Sequence, residues 1–163
     1  SQSIAEALYG ALGVIASSQG TMDNFVYGND VFQNYETICG GTGAGNGFHG
    51  TSAVHSHMTN TRMTDPEVLE TRFPVRVDEF AIRHGSGGAG AFVGGDGIVR
   101  RLTFNEAMTV KRLSSHRVVA PHGTQGGSTG ATGESAVQRS NGVFELLDGN
   151  DQVDVRLKAS KRA

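Results

Sequence analysis

The 163-residue sequence contains one cysteine, only 3 prolines and no apolar run long enough to cross a membrane. Cys39 has no second cysteine with which to form a disulfide or a zinc site, so we expect a reducing compartment, the cytoplasm. The apolar stretch 7–16 is shorter than the roughly 20 residues of a membrane helix, and no cationic segment precedes it as in a signal peptide. We therefore expect neither membrane insertion nor export.

Charge is also scarce. Charged residues make up 18% of the chain and the formal net charge is -2. Because the basic residues are scattered, the chain lacks the positive patch that nucleic acid requires. Glycine, in contrast, accounts for 24 of the 163 residues, against roughly 7% in an average protein. This favours glycine at positions of special backbone conformation or close chain approach.

The first predicted element is an amphipathic helix. Ser3 and Glu6 fit a capping box, Gly20 is the predicted stop, and one helical face carries Ile4, Ala7, Leu8, Ala11, Leu12 and Ile15. The surface under this face must come from the strands that follow or from chain that is absent. We treat residues 1–157 as a single domain and expect the basic tail 158–163 to fray.

Short β-rich runs dominate the remainder. We predict a hairpin of 25–27 with 31–39, a strand at 75–84 with a bulge near Asp78 and Glu79, pairing of 98–104 with 108–113, and a last hairpin of 143–147 with 153–157 around 148–151. Asp65 and Pro66 predict the start of a short helix. The predicted fold is α+β, mainly antiparallel β, with an N-terminal amphipathic helix and long glycine-rich loops.

The densest polar segment is 54–62. His55 and His57 would point to the same side of an extended backbone, where two imidazoles can bind a metal or move protons. Alternatively, both histidines hydrogen-bond to the loop backbone and hold its shape. The hydroxyl, amide and guanidinium groups that follow can hold a carboxylate or phosphate, or can form a capped turn in which Arg62 pairs with Asp65 or Glu67.

Two further features contain candidate residues. Glu36 shares a strand face with Phe32 and Ile38, which would place its carboxylate among apolar neighbours unless the strand is an edge. The glycine-rich run 40–45 follows this strand and could bring backbone N–H groups close to an anion. It lacks the Lys-Ser/Thr of a phosphate-binding loop and a following helix, so a purely conformational role is the alternative.

The order of these motifs resembles the C-terminal portion of the hydantoinase B/5-oxoprolinase family. The similarity covers nearly the whole chain and runs through 18–22, 35–37, 40–45, 55–67, 72–75, 85–90, 94–97 and 120–127. Within the family, 61–70 is more similar to 5-oxoprolinases than to acetone carboxylase α chains, and the chain as a whole most resembles bacterial 5-oxoprolinases. Ser115 and His116 depart from the pattern, because relatives often carry a Glu-Arg pair there, and the usual glycine-rich C-terminal end is missing.

The resemblance implies an ATP-hydrolysing enzyme of glutathione metabolism that converts 5-oxo-L-proline and water to L-glutamate. It further implies an oligomer, a hydantoinase A-like subunit or half that binds ATP with Mg²⁺, and a divalent metal, of unknown identity, held mainly by residues upstream of Ser1. Because family members are several times longer, we expect the chain alone to be inactive. An N-methylhydantoinase, an acetone carboxylase-type enzyme and a non-catalytic assembly module are the alternatives.

The resemblance also implies roles for individual residues. His55 and His57 would position water or shuttle protons, and Glu36 would orient one of them or act as the base. The substrate or its phosphorylated intermediate would be bound by Gly41, Thr42, Gly43, Thr59, Asn60, Thr61 and Arg62.

Overall fold

A computed structural model describes residues 1–139, 141–147 and 152–157. The elements in chain order are α1 (Gln2–Leu12), β1 (Asn24–Gly28), β2 (Gln33–Thr37), α2 (Pro66–Arg72), β3 (Val75–Ile82), β4 (Ile98–Phe104), β5 (Met108–Leu113), β6 (Ala136–Gln138), β7 (Phe144–Leu146) and β8 (Gln152–Leu157). The strands form antiparallel sheets with the orders β2-β1-β5-β8, β3-β4 and β6-β7. The α+β, mainly antiparallel β fold that the sequence predicted is confirmed.

The hydrophobic core lies where the large sheet, the β3-β4 sheet and α2 meet. Tyr27 of β1 packs edge-on against Phe104 of β4, with ring centroids 5.2 Å apart, and against Phe73 at 6.2 Å. Leu69 of α2 and Met108 of β5 are almost fully buried beside them. Aromatic rings in this edge-to-face arrangement contribute more than their buried area alone.

Helix α1 differs from its predicted form at both ends. It ends at Leu12, where Gly13 adopts φ 64°, and does not reach Gly20. The predicted capping box is wrong, because the Ser3 hydroxyl donates to the Gly20 carbonyl at 3.1 Å and the Glu6 carboxylate binds a neighbouring loop. Partners distant in sequence therefore outcompete the local cap. Among the described residues, no helix is long and apolar enough to span a bilayer.

Several local predictions are confirmed. Strands β1 and β2 form the first hairpin, and the β3–β4 register shifts between Val77 and Glu79, where a bulge was predicted. Asp65 caps α2 by accepting a hydrogen bond from the Glu67 N–H at 3.0 Å, with Pro66 at the first helical position. In each case the signal lies within a few residues of the structure that it specifies.

Two strand pairings were predicted wrongly. Strand β4 pairs with β3, whereas β5 lies between β1 and β8 in another sheet. Phe104 and Met108 flank the link between β4 and β5, and both are buried, so the chain crosses between packed sheets instead of folding back. Likewise β7 pairs with β6, and β8 with β5. The predicted turn 148–151 and tail 158–163 lie outside the described residues.

The glycine-rich loops pack backbone against backbone. A Cβ atom at Gly41 would overlap the carbonyl group of Gly95, and one at Gly43 would overlap the carbonyl group of Ala16. Hydrogen bonds join the same segments, since the Gly95 N–H donates to the Thr42 carbonyl at 2.9 Å. Glycine is required here because any side chain would hold the two backbones apart.

We predict that Gly41→Ala destabilises the protein by roughly 1–3 kcal/mol or prevents folding, because its methyl group would meet backbone and not a movable side chain. Thermal unfolding followed by circular dichroism measures the effect. Gly97→Ala is the matched control, since a Cβ there would make only ordinary contacts, at 3.8 and 3.9 Å. Equal melting temperatures for the two variants would contradict the packing argument.

Candidate functional site

The sequence predicted that the two candidate histidines would share one side of an extended backbone, and this prediction is wrong. The chain turns at His57, which has φ 54°, and the Thr59 N–H donates to the Ser56 carbonyl at 3.1 Å. The two imidazoles consequently have different partners. The Nε2 atom of His55 lies 2.9 Å from the carbonyl oxygen of Thr37, whereas Nε2 of His57 lies 2.8 Å from Oε2 of Glu6.

The Glu6–His57 pair lies at the centre of a buried polar cluster between α1 and two loops. The side chains of His57 and Glu6 are only 8% and 13% exposed. The Ser17 hydroxyl donates to Oε1 of Glu6 at 2.6 Å, and the Ser18 hydroxyl donates to Oε2 at 2.9 Å. The Tyr9 ring packs against the imidazole, with centroids 5.0 Å apart. The carboxylate thereby holds three chain segments together.

These contacts favour the ionised form of Glu6. Burial by itself raises the pKa of Glu6, but the hydrogen bonds from Ser17 and Ser18 and the proximity of His57 outweigh it and lower that pKa. An ionised Glu6 only accepts hydrogen bonds, so Nε2 of His57 carries the hydrogen and donates it. No described residue bonds to Nδ1. The Ser18 hydroxyl lies 3.3 Å from the same Nε2 atom, which rules out a Ser-His-Glu relay, because a relay uses both ring nitrogens.

Helix α1 also fixes the turn that follows His55. Oε1 of Gln2 accepts hydrogen bonds from the Met58 N–H and the Thr59 hydroxyl, both at 3.1 Å. Gln2 is 4% exposed and Thr59 is 8% exposed. Neither Gln2 nor Glu6 was predicted as a site residue, although their spacing of four residues places them on one helical face.

A cavity of about 380 Å³ brings most of the predicted polar residues together. Its apolar wall includes Cys39, Met63 and Phe80, and its polar lining consists of His55, Thr59, Asn60, Thr61 and Arg62. The Thr37 hydroxyl contacts those of Thr61 and, at 3.0 Å, the imidazole of His55. His57 is not among the lining residues. The cavity can therefore offer a small polar ligand one imidazole, hydroxyls, an amide and a guanidinium.

Arg62 is available to such a ligand. Its side chain is exposed and forms no ion pair with any described residue. The alternative pairing with Asp65 is not observed, since the Asp65 carboxylate accepts the Glu67 N–H as the cap of α2. A guanidinium that is already committed would contribute little to binding, whereas no described residue occupies the donors of Arg62.

Glu36 does not orient either histidine, which corrects the predicted contact. Its Oε1 accepts a hydrogen bond from Nη2 of Arg100 at 2.9 Å, and the two side chains are 2% and 4% exposed. Burial raises the pKa of Glu36, and Arg100 offsets only part of this increase. Arg100 also lies over the Phe80 ring, 4.7 Å from its centroid. Glu6 orients His57, and Thr37 orients His55.

The loop around Thr42 lines a second, larger cavity of about 1280 Å³. The Thr42 N–H donates to the Thr51 carbonyl at 3.0 Å, and its hydroxyl accepts the Thr51 N–H at 2.7 Å. The Thr42 N–H is therefore not available to an anion, and the hydroxyl oxygen is held against Thr51. Together with the close packing at Gly41 and Gly43, this supports the conformational role, and substrate binding by these three residues stays a prediction.

Asp23, which the sequence analysis did not single out, also lines the larger cavity. It adopts φ 46°, and its Oδ1 accepts hydrogen bonds from the Ser115 N–H at 3.2 Å and the Thr21 hydroxyl at 3.1 Å. Burial raises the pKa of Asp23 to about 6, although these bonds and the nearby Arg117 oppose the shift. No local sequence signal marks this residue, because its partner Ser115 is distant in the chain.

The donor set does not form a complete metal site. Within the part of the chain that the structure describes, no group of three His, Cys, Asp or Glu residues is placed to hold a metal ion. His57, the imidazole with a free ring nitrogen in the buried cluster, has the single carboxylate of Glu6 beside it. Any metal bound here would need ligands from elsewhere.

Comparison with known proteins gives a consistent picture. Residues 1–162 match the family described as hydantoinase B/oxoprolinase. The chain is 44% identical over 160 residues to a 5-oxoprolinase of Dictyostelium discoideum, and the aligned region makes up 98% of this chain and 13% of that protein. It is 48% identical over 155 residues to 5-oxoprolinase 1 of Arabidopsis thaliana, where the aligned region makes up 95% of this chain and 12% of that protein. A protein of Pseudomonas sp. named as a D-/L-hydantoinase subunit is 28% identical over 85% of this chain and 22% of its own length.

We predict that Asp23 makes the protein less stable as the pH rises from about 4 to about 6. With its pKa raised to about 6 from 3.8, the folded state binds a proton in this range that the unfolded state releases. Asp23→Asn should remove this dependence and gain roughly 2–3 kcal/mol relative to the parent at pH 7. Urea unfolding at pH 4 and pH 7 measures it, with the exposed Asp30→Asn as control. If the unfolding free energies of Asp23→Asn and the parent differ by the same amount at both pH values, the prediction is wrong.

Proposed function

The chain belongs to the hydantoinase B/oxoprolinase family, and we propose that it forms part of an ATP-dependent hydrolase that opens 5-oxo-L-proline to L-glutamate. Relatives named 5-oxoprolinase support this substrate, because they are more similar to the chain than the relative named as a hydantoinase subunit. The chain spans only 12–13% of the length of those 5-oxoprolinases. The activity would therefore belong to the larger protein.

The proposed chemistry explains why ATP would be needed. An unstrained amide is a poor electrophile, because resonance delocalises the nitrogen lone pair into the carbonyl group. Transfer of the γ-phosphoryl group to the lactam oxygen would activate the ring carbon toward water, and loss of phosphate with cleavage of the C–N bond would give L-glutamate and ADP. ATP with Mg²⁺ would be held by a hydantoinase A-like subunit or half. We further propose an oligomeric, cytoplasmic enzyme.

The observation that carries the proposal is the composition of the smaller cavity. Arg62 presents a guanidinium that pairs with no described residue and suits the carboxylate of 5-oxoproline, and Asn60 and Thr61 offer further hydrogen bonds in the same cavity. His55 is anchored through Nε2 to Thr37, so Nδ1 would be the ring nitrogen that acts on a ligand. A positioned imidazole of this kind can take a proton from water or return one to the leaving nitrogen.

His57 receives a different role. Since it lines neither cavity and is held by Glu6 at 2.8 Å, it would position the turn that carries Thr59 into the cavity. Glu36 and Arg100 would support the apolar wall through Phe80. His55 therefore replaces the predicted pair of histidines as the residue in contact with substrate.

A hydantoinase-type enzyme is the second candidate. The match to the hydantoinase subunit, although at lower identity, shows that the same family segment occurs in a protein named for another cyclic amide. ATP hydrolysis by the full-length enzyme in the presence of 5-oxoproline, a hydantoin, or acetone with bicarbonate separates the possible substrates. If a hydantoin, or acetone with bicarbonate, stimulates ATP hydrolysis and 5-oxoproline does not, the 5-oxoproline proposal is wrong.

We predict that Arg62→Ala, introduced into the full-length enzyme, raises KM for 5-oxoproline about 10–100-fold, because a charge-assisted hydrogen bond is worth about 1.5–3 kcal/mol. Steady-state kinetics of L-glutamate formation measures the change. Arg72→Ala, an exposed arginine in the last turn of α2, is the control. An unchanged KM in a folded Arg62→Ala variant would show that Arg62 does not bind the substrate.

We also predict that His55→Ala lowers kcat by about 100-fold or more, the usual contribution of a positioned general acid or base. The pH profile of kcat should lose one ionisation as well, which a purely structural role would not cause. His84→Ala is the control, since that side chain is 86% exposed. A variant with parental kcat and an unchanged profile would exclude His55 from proton transfer.

A further inference from the structure

Helix α1 exposes an apolar face. Ile4 is 75% exposed, Leu8 55% and Leu12 64%, and Ala7 and Ala11 between them are exposed as well. These five residues, called the outer face of α1, carry neither charge nor hydrogen-bonding groups. Full burial of one leucine or isoleucine side chain is worth about 1.5–3 kcal/mol. Burial of the outer face would therefore stabilise the protein by several kcal/mol.

The opposite face of α1 is polar and turned inward. Gln2 is buried, and Glu6, the one charged residue of the helix, is bound to Ser17, Ser18 and His57. A surface helix of a globular protein normally has the reverse arrangement, with its apolar stripe on the core and its charges in water. Both faces of α1 are consequently suited to contacts with protein, but the part of the chain that the structure describes covers only one of them.

A membrane surface is a poor match for the outer face. Helices that lie in the bilayer interface carry lysine and arginine on their polar side. Residues 1–61 contain no lysine or arginine, and the polar side of α1 is occupied by the cluster around Glu6. An apolar protein surface is the occupant that fits.

We propose that the outer face of α1 packs against an apolar surface of the part of a full-length hydantoinase B/oxoprolinase protein that lies outside this chain. The family match begins at residue 1 and so includes α1. The chain corresponds to 12–13% of the length of its 5-oxoprolinase relatives, which leaves ample polypeptide to provide such a surface. The inference depends on family membership and not on the proposed reaction, so the two can fail separately.

This contact would act on the candidate site through the helix. The outer face and the Glu6 carboxylate belong to the same rigid element, so fixing α1 from outside would hold Glu6 on His57 and Gln2 on the turn at Thr59. The smaller cavity, to which that turn contributes, would then reach its final shape only in the complete protein.

Photo-crosslinking in the full-length protein tests the contact directly. The photoreactive residue p-benzoylphenylalanine replaces Leu8, and in the control it replaces Val31, which is 79% exposed at the tip of the first hairpin. We expect irradiation at position 8 to give crosslinks to peptides outside this chain, with few or none from position 31. Crosslinks only to α1 of a second copy, or no crosslinks at all, would overturn the proposal.

Charge substitution gives an independent measurement. In the full-length protein, Leu8→Glu should lower the melting temperature by several degrees, since it would bury an unpaired carboxylate at the contact, whereas Val31→Glu should leave it within about one degree. If Leu8→Glu prevents folding, the crosslinking result decides. If the two glutamate variants have the same melting temperature, the outer face of α1 is free in the complete protein and the proposal is wrong.

Discussion

The Glu6 carboxylate connects three chain segments of the candidate site. It comes from α1, accepts hydrogen bonds from Ser17 and Ser18 in the following loop, and binds His57 beyond the first hairpin. A buried carboxylate is costly unless its oxygens are satisfied, so these segments are constrained to meet around it. The turn after His55, and with it the smaller cavity, takes its shape from that requirement.

A second constraint is the close approach of glycine-rich loops. At Gly41, Gly43 and Gly95 one backbone lies directly against another, and hydrogen bonds between the loops satisfy the backbone groups that this packing buries. Long loops held in this way line much of the larger cavity. The glycine content of the chain is thus a structural requirement of its loops, which agrees with the internal use of the Thr42 N–H and hydroxyl.

The polar residues of 59–62 were identified from the sequence because their hydroxyl, amide and guanidinium groups can hold a carboxylate or phosphate, and the structure gathers them around one cavity. The role expected for Glu36 was assigned from its chemistry alone, and its contact proved to be with Arg100. Nothing in the sequence near Glu36 points to Arg100, which lies on another sheet. Asp23 escaped notice for the same reason, since burial, not any local motif, distinguishes it.

The sequence by itself determined the fold class, the first hairpin, the bulge in β3, the cap of α2 and the family, because each depends on residue types within a short stretch or on their order along the chain. Only the tertiary structure decided which strands pair after β3, which carboxylate meets His57 and which face of α1 turns inward. Those outcomes depend on competition between partners far apart in sequence. A strand or a carboxylate with several possible partners takes the one that the packing of the whole chain brings to it.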